Sequence, residues 1–176
     1  MKKESGFSLV ETLIAMGILA TGLLSLAAVF VMGLNHLSGS SASLIAREKA
    51  REAVESVHTA RDTRVITWAQ IRNTADGGVF LADPQQLRQA GADGIVGTAD
   101  DGDVESTVWP GDDGILGSDD DVTSPLDTYR RTIAISDIVT NGVTSASLRR
   151  LQVTVTYQVG SNERTYTLTT FISRIS

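Results

Sequence analysis

The sequence has no cysteine, and its only histidines are His36 and His58. It therefore cannot form disulfide bonds or use a cysteine nucleophile, and it offers little for a histidine-based metal or catalytic site. No G-x-S-x-G elbow and no glycine-rich phosphate loop occurs. We therefore predict that the protein is not an enzyme, that it has no small-molecule substrate, and that both histidines are structural.

Charge is missing from one stretch of the chain and has a single sign in another. From Thr12 to Leu34 every residue is uncharged. Between Gln89 and Tyr129 there are eleven Asp or Glu and no Lys or Arg, although the net charge of the whole chain is only −6. The sequence therefore predicts an acidic lobe on an otherwise mildly basic body.

The uncharged stretch is long enough to span a membrane. As a helix it would measure roughly 34 Å, against a hydrocarbon core of about 30 Å. A secretory signal peptide has a shorter apolar region, with a cleavage site after it. Glu11 stands at the start of this stretch, where a carboxylate in lipid costs several kcal/mol unless it is paired. Cleavage between Gly6 and Phe7 would create an α-amino group that could neutralise Glu11.

The residues around that position follow a short basic leader and read Gly6-Phe7-Ser8-Leu9-Val10-Glu11-Thr12-Leu13. A glycine before the cut, an aromatic first mature residue, a glutamate at the fifth mature position and an apolar helix directly after it form one pattern. The pattern resembles the class III signal of type IV pilins and type II secretion pseudopilins. Residues 18–28 are similar to the minor-pilin and I-type pseudopilin branch of that family.

This resemblance implies a processing pathway and partners. A prepilin peptidase would cut after Gly6 and N-methylate Phe7. The subunit would then wait in the inner membrane as a single-pass protein, with its head outside the cytoplasm. It would finally join other pilins through its N-terminal helix in a periplasmic or extracellular filament. There Glu11 would pair with the N-terminal amine of a neighbouring subunit. The pair would set the register between the two subunits rather than add stability.

Two departures from the family pattern bear on the type of subunit. Many major pilins carry a proline in mid-helix, at the place of Ala28 here, and the first proline of this chain is Pro84. Many also close a C-terminal loop with a disulfide, which a chain without cysteine cannot form. Both absences favour a minor subunit, and the presence of Glu11 disfavours the tip-most pseudopilin type.

The predicted fold class is α+β and pilin-like, with a long N-terminal helix packed on a C-terminal antiparallel sheet and an inserted acidic loop region. The predicted domains are a leader (1–6), a membrane or filament-core helix (7–34), its amphipathic continuation (35–61), and a globular head (62–176) that includes the acidic repeat region (92–121).

Within the head, period-two patterns and turn signals predict a meander of three strands. The strands are Tyr129 to Val139, Ser147 to Val159 and Arg164 to Ser173. The apolar face of the second should cover the amphipathic helix, which is legible from Leu44 to about Ala60. Residues 84–90 are predicted to form a helical turn or two. The pairs Arg130-Arg131 and Arg149-Arg150 are interpreted as solvated charges, so no nucleic-acid partner is predicted.

The acidic region contains an internal repeat at an offset of twenty residues. Residues 93–101 (DGIVGTADD) align without gaps on residues 113–121 (DGILGSDDD). Glycines permit tight turns, so carboxylates and main-chain carbonyls could converge on one point, as Ca²⁺ requires. The spacing is neither that of an EF-hand nor that of an RTX repeat. The candidate calcium ligands are Asp93, Asp100, Asp101, Asp103, Asp113, Asp119, Asp120 and Asp121.

The alternative interpretation of the repeat is a solvated acidic loop that arose by duplication. In either case the apolar pairs Ile95-Val96 and Ile115-Leu116 are predicted to anchor the two loops on the sheet.

Three functions remain open from the sequence. The first is a minor pilin that primes or decorates a type IV pilus. The second is a type II secretion pseudopilin that assists protein export, which would share every N-terminal residue discussed above. The third is a calcium-dependent adhesion module on the pilus surface.

Overall fold

A computed structural model describes residues 8–174 of the chain, with only the backbone described for residues 35–38. Its first element is a helix of 54 residues, α1 (Leu9–Asp62). A 3-10 turn (Thr74–Asp76) follows it, with Gly77 in the left-handed conformation at its end. The strands are β1 (Gln85–Gln86), β2 (Ser106–Trp109), β3 (Val122–Pro125), β4 (Arg130–Thr140), β5 (Val143–Val159) and β6 (Asn162–Ser173).

The chain divides by internal contacts between Ser41 and Ala42, so that residues 42–62 of α1 belong to the same unit as the sheet. In the first unit the large apolar side chains are exposed, for example Leu24 and Phe30, each at 71%. Among the described residues, α1 is the helix whose length and composition would allow it to cross a membrane.

The second unit is built on an antiparallel sheet with the strand order β1-β4-β5-β6. The predicted meander of β4, β5 and β6 is confirmed, and β5 and β6 begin a few residues earlier than the pattern predicted. Asn141 and Gly142 both have positive φ at the β4–β5 turn, as the Asn-Gly signal predicted. Strands β2 and β3 form a separate two-stranded sheet.

The core lies between the second part of α1 and one face of the sheet. The helix contributes buried small residues, Ala46, Ala50, Ala53 and Val57, whose spacing places them on one stripe. The sheet contributes Leu151, Val153, Val155 and Tyr157 from β5, the face that period two predicted. Alanines allow the helix to approach the sheet closely. The predicted α+β, pilin-like fold class is therefore confirmed.

The prediction of a helical segment at residues 84–90 was wrong. Gln85 and Gln86 instead pair with Arg131 and Arg130 of β4. The backbone carbonyl of Leu87 accepts a hydrogen bond from the N–H of Glu105. The segment is extended because its backbone partners are on β4 and in residues 102–105, just after the first acidic repeat, and both come from later in the chain.

Candidate functional site

Glu11 is part of a reciprocal cap at the start of α1. The backbone N–H of Ser8 donates to Oε2 of Glu11 at 2.9 Å, and the N–H of Val10 donates to Oγ of Ser8 at 3.2 Å. Such a capping box satisfies two amide groups that have no partner inside the helix. The carboxylate also lies at the N-terminal, positive end of the helix dipole.

The capping role of Ser8 was missed in the sequence, although the spacing Ser8-x-x-Glu11 before an apolar run is its known signal. Gly6 and Phe7, the predicted cleavage site, lie outside the described residues. Their role and the inter-subunit role of Glu11 stay predictions.

The two copies of the acidic repeat form two loops of nearly the same geometry. We call residues 91–101 the first acidic loop and residues 111–121 the second acidic loop. In the first, Oδ1 of Asp93 accepts from the N–H of Ile95 at 2.8 Å, and Asp113 and Ile115 repeat this bond at the same distance. The two glycines that follow Asp93 and Asp113 share a φ of 70°. The repeat is therefore one structural unit used twice.

The last aspartate of each loop accepts a hydrogen bond from a glycine amide four residues earlier and so closes the loop. Oδ2 of Asp101 accepts from the N–H of Gly97 at 2.7 Å, and its counterpart Asp121 accepts from Gly117 at 2.6 Å. A Cβ at Gly91 would overlap the carboxylate of Asp100, so that position requires glycine. The loops thus use these carboxylates as acceptors for their own backbone amides.

Hydroxyl donors hold one exposed aspartate in each loop. Thr98 donates to Asp100, and Ser118 donates to Asp120, both at 2.7 Å. These bonds are the main reason that the pKa of each aspartate lies below its usual value of 3.8. Because the folded pKa is depressed, each bond stabilises the loop above the usual pKa and is lost as pH falls through the lower folded value.

The predicted apolar anchors differ between the two loops. Ile95 and Val96 are buried, at 0% and 1% exposure, as predicted. Ile115 and Leu116 are 64% and 62% exposed, so the prediction that they anchor the second loop on the sheet was wrong. The second loop extends from the β2–β3 hairpin, outside the four-stranded sheet, and therefore has no sheet surface of its own to cover.

Among the described residues, no group of three or more His, Cys, Asp or Glu is placed to hold a metal ion. Asp103 and Asp119 are exposed, and their side chains take no part in the loop hydrogen bonds described above. Oδ1 of Asp121 is buried and has no hydrogen-bond partner in the described part of the chain. Its counterpart, Oδ1 of Asp101, accepts from the N–H of Thr98 at 3.2 Å.

Glu105, which follows the first acidic loop, forms a buried ionic cluster with one residue of the helix and one of the sheet. Glu105 pairs with Nζ of Lys49 on α1 at 2.5 Å and with Nη1 of Arg131 on β4 at 3.5 Å. Burial alone would lower the pKa of Lys49, but its hydrogen bonds to Glu105 and Glu52 outweigh burial and raise it. Burial lowers the pKa of Arg131.

The interpretation of Arg131 and Arg149 as solvated charges was wrong, since they are 2% and 4% exposed. The guanidinium of Arg149 lies 4.2 Å from the ring centre of Trp68 and donates to the carbonyl of Ile71 and to Asp137. Period two could have identified both arginines, because Arg131 precedes the inward Ile133 by two residues and Arg149 likewise precedes Leu151.

His58 is half-buried on α1. Burial lowers its pKa first and the nearby Arg61 lowers it further, so the imidazole is neutral at pH 7. The side chain of His36 lies outside the described residues.

Comparison with known proteins gives one result. The family model of the prokaryotic N-terminal methylation motif matches residues 1–27. The search of curated proteins and the search of solved structures found no match. The start of the chain therefore carries the prokaryotic N-terminal methylation motif, the class III signal that is typical of type IV pilins and pseudopilins.

Proposed function

We propose that the protein is a minor pilin-like structural subunit that prepilin peptidase cleaves and that is incorporated into a type IV pilus, which it primes or decorates. The methylation motif at residues 1–27 is the observation that carries this proposal. A structural subunit needs no catalytic site, in agreement with the residue types that the sequence lacks.

The exposed surface of the first part of α1 supports membrane anchoring before assembly. Apolar side chains exposed all around a helix are unfavourable in water and need lipid or other helices around them. A bilayer and a bundle of apolar helices are both dry, so one helix can serve in the membrane and later in a filament core.

The charge of Glu11 is the decisive feature to test, and its capping bond allows a sharp test. In Glu11→Gln the side chain can still cap Ser8, because glutamine serves in a capping box, but the negative charge is lost. We expect this variant to be processed normally and to be absent from sheared filaments, as measured by N-terminal sequencing and immunoblotting.

Ser8→Ala is the matched control, because it removes the Oγ that accepts from the N–H of Val10 and keeps the charge of Glu11. It should still assemble, with a cost limited to about 0.5–2 kcal/mol of helix stability. If Glu11→Gln enters filaments as well as the unaltered protein does, Glu11 has no assembly role.

A pseudopilin of type II secretion would share all of these N-terminal residues. The two machines differ in what fails when the subunit is missing. A deletion strain that loses pili and still exports its secreted enzymes supports the pilus assignment, and the reverse result supports the secretion assignment.

The second acidic loop favours a further candidate function, a calcium-dependent binding or adhesion module. Oδ1 of Asp121 has no hydrogen-bond partner among the described residues and lies in a loop without any basic residue, which supports Ca²⁺ as a ligand for this loop. We expect millimolar calcium to raise the melting temperature of the protein, and Asp121→Asn to abolish that rise. Equal melting temperatures with calcium and with a chelator would contradict the metal prediction.

A further inference from the structure

The two acidic loops have nearly the same internal geometry and opposite surroundings. The apolar pair of the first loop is buried, and the apolar pair of the second loop is more than half exposed. The first loop therefore shows what kind of surface this unit packs against. The second loop is the same unit, but among the described residues no such surface covers its apolar pair.

The first loop packs on an apolar surface that also supplies a backbone donor. The carbonyl of Gly97 accepts from the N–H of Leu81 at 2.9 Å, and a Cβ at Gly97 would lie 2.7 Å from Cδ1 of Ile133. At the equivalent Gly117 the surrounding space is open. A partner of the second loop should therefore offer apolar side chains and at least one free backbone N–H.

Charge adds a further requirement for that partner. The second acidic loop contains five aspartates and no lysine or arginine. Its partner should therefore carry basic side chains beside its apolar surface. An anionic membrane surface would repel the loop, which argues against lipid as the partner.

A groove between α1 and β6 on this same chain meets all of these requirements. It has a volume of about 470 Å³ and is lined by Leu44, Arg47, Glu48, Arg51, Tyr166 and Leu168. Leu44 is 68% exposed, and the guanidinium of Arg47 lies 5.6 Å from the ring centre of Tyr166. The two arginines outnumber the single glutamate. Strand β6 is the outer strand of the sheet, so half of its backbone groups face away from β5.

We propose that the second acidic loop of one copy docks into the α1–β6 groove of a second copy of this chain. Ile115 and Leu116 pack on Leu44 and Leu168, and the surrounding aspartates pair with Arg47 and Arg51. Loop and groove are different surfaces, so the contact is heterologous and leaves a free loop and a free groove at the two ends of every pair. Such contacts propagate into open assemblies. The inference rests on the proposed function in one respect, that copies anchored in the same membrane before assembly meet one another there and can enter a filament as neighbours.

The absence of cysteine makes disulfide trapping a clean test. Two full-length copies with different tags are produced together, one with Leu116→Cys and the other with Leu44→Cys, and membranes and sheared filaments are oxidised separately. Disulfides form only where the Cα atoms come within about 7 Å. We expect roughly tenfold more dimer carrying both tags than in the control, because docking holds the thiols at a high effective concentration.

Val139→Cys, combined with Leu44→Cys, is the matched control. Val139 has the same 62% exposure as Leu116 but lies near the β4–β5 turn. Arg47→Glu with Arg51→Glu on the copy that carries Leu44→Cys should abolish the mixed dimer. Adding Asp112→Arg with Asp119→Arg on the copy that carries Leu116→Cys should restore it. All four side chains are exposed, so these variants leave the fold intact.

Equal trapping by Leu116→Cys and Val139→Cys overturns the proposal, and so does a disulfide from Leu116→Cys to a different protein. Processed filaments without mixed dimer would refute the docking contact and leave the pilin assignment standing. Mixed dimer in membranes, together with absence of the subunit from the sheared filaments of piliated cells, would support the contact and count against that assignment.

Discussion

At the scale of single residues, Arg131 has an unusual environment. It is 2% exposed, and its nearest carboxylate is that of Glu105, which is itself 5% exposed. Removing one partner of a buried ion pair costs more than the pair contributes, because the other charge stays buried without compensation. Glu105 therefore matters chiefly because it keeps Arg131 and Lys49 compatible with burial.

We predict that Glu105→Ala destabilises the head by about 3–5 kcal/mol. Urea unfolding followed by tryptophan fluorescence would measure the change. Glu52→Ala is the control, since Glu52 also pairs with Lys49 but its side chain is 43% exposed. The control should change stability by less than about 1 kcal/mol. Equal effects of the two variants would show that the buried cluster has no special role.

At the scale of elements, the two acidic loops show that the motif determines the hydrogen bonds within a loop and that the surroundings determine whether its apolar pair is buried. The Asp-Gly turns and Oδ2 of the closing aspartates make matching hydrogen bonds in both loops. Burial of the apolar pair depends on where the loop is attached. The first loop lies between α1 and β2 and packs against Ile133 of β4, whereas the second is the connection of the β2–β3 hairpin.

This difference predicts unequal effects of the same substitution. Ile95→Ala should cost about 2–5 kcal/mol, because it leaves a cavity in the core. Ile115→Ala should stay within about 0.5 kcal/mol, because Ile115 is exposed in the free protein. Thermal unfolding of the two variants side by side would measure both effects. A large loss in Ile115→Ala would mean that its loop packs on the head after all.

At the scale of the whole molecule, the chain consists of two units that require different surroundings. Among the described residues, every buried apolar side chain of the core lies at position 46 or later. The described part of the first unit, residues 8–41, exposes its apolar side chains and requires lipid or neighbouring helices. Among the described residues, the core of the head is therefore built without the first unit.

We predict that residues 42–176 alone form a soluble domain that unfolds cooperatively. Circular dichroism should show the sheet and the remaining helix, with a single thermal transition. A broad transition, or binding of a dye that reports exposed apolar surface, would show that the first unit is needed for the fold.

Much of the fold could be predicted from patterns among residues that are close together in the sequence. The Asn141-Gly142 turn, the period-two face of β5 and the apolar stripe of α1 depend on neighbours in sequence, so they could be predicted. Residues 84–90 are extended, with Gln85–Gln86 as a strand, because their hydrogen-bond partners lie on β4 and near Glu105, which no local pattern reveals. The Ser8-Glu11 cap and the inward arginines did have local signals, in the capping-box spacing and the strand period.

The sequence by itself determined the N-terminal motif, the long apolar helix, the three-strand meander and the repeated loop. Each of these rests on residues that are near one another along the chain. Only the tertiary structure decided that Arg131 and Arg149 are buried, and that one acidic loop is covered while its copy is exposed. Those outcomes depend on contacts between residues far apart in sequence, and such contacts exist only after helix, loops and sheet have packed together.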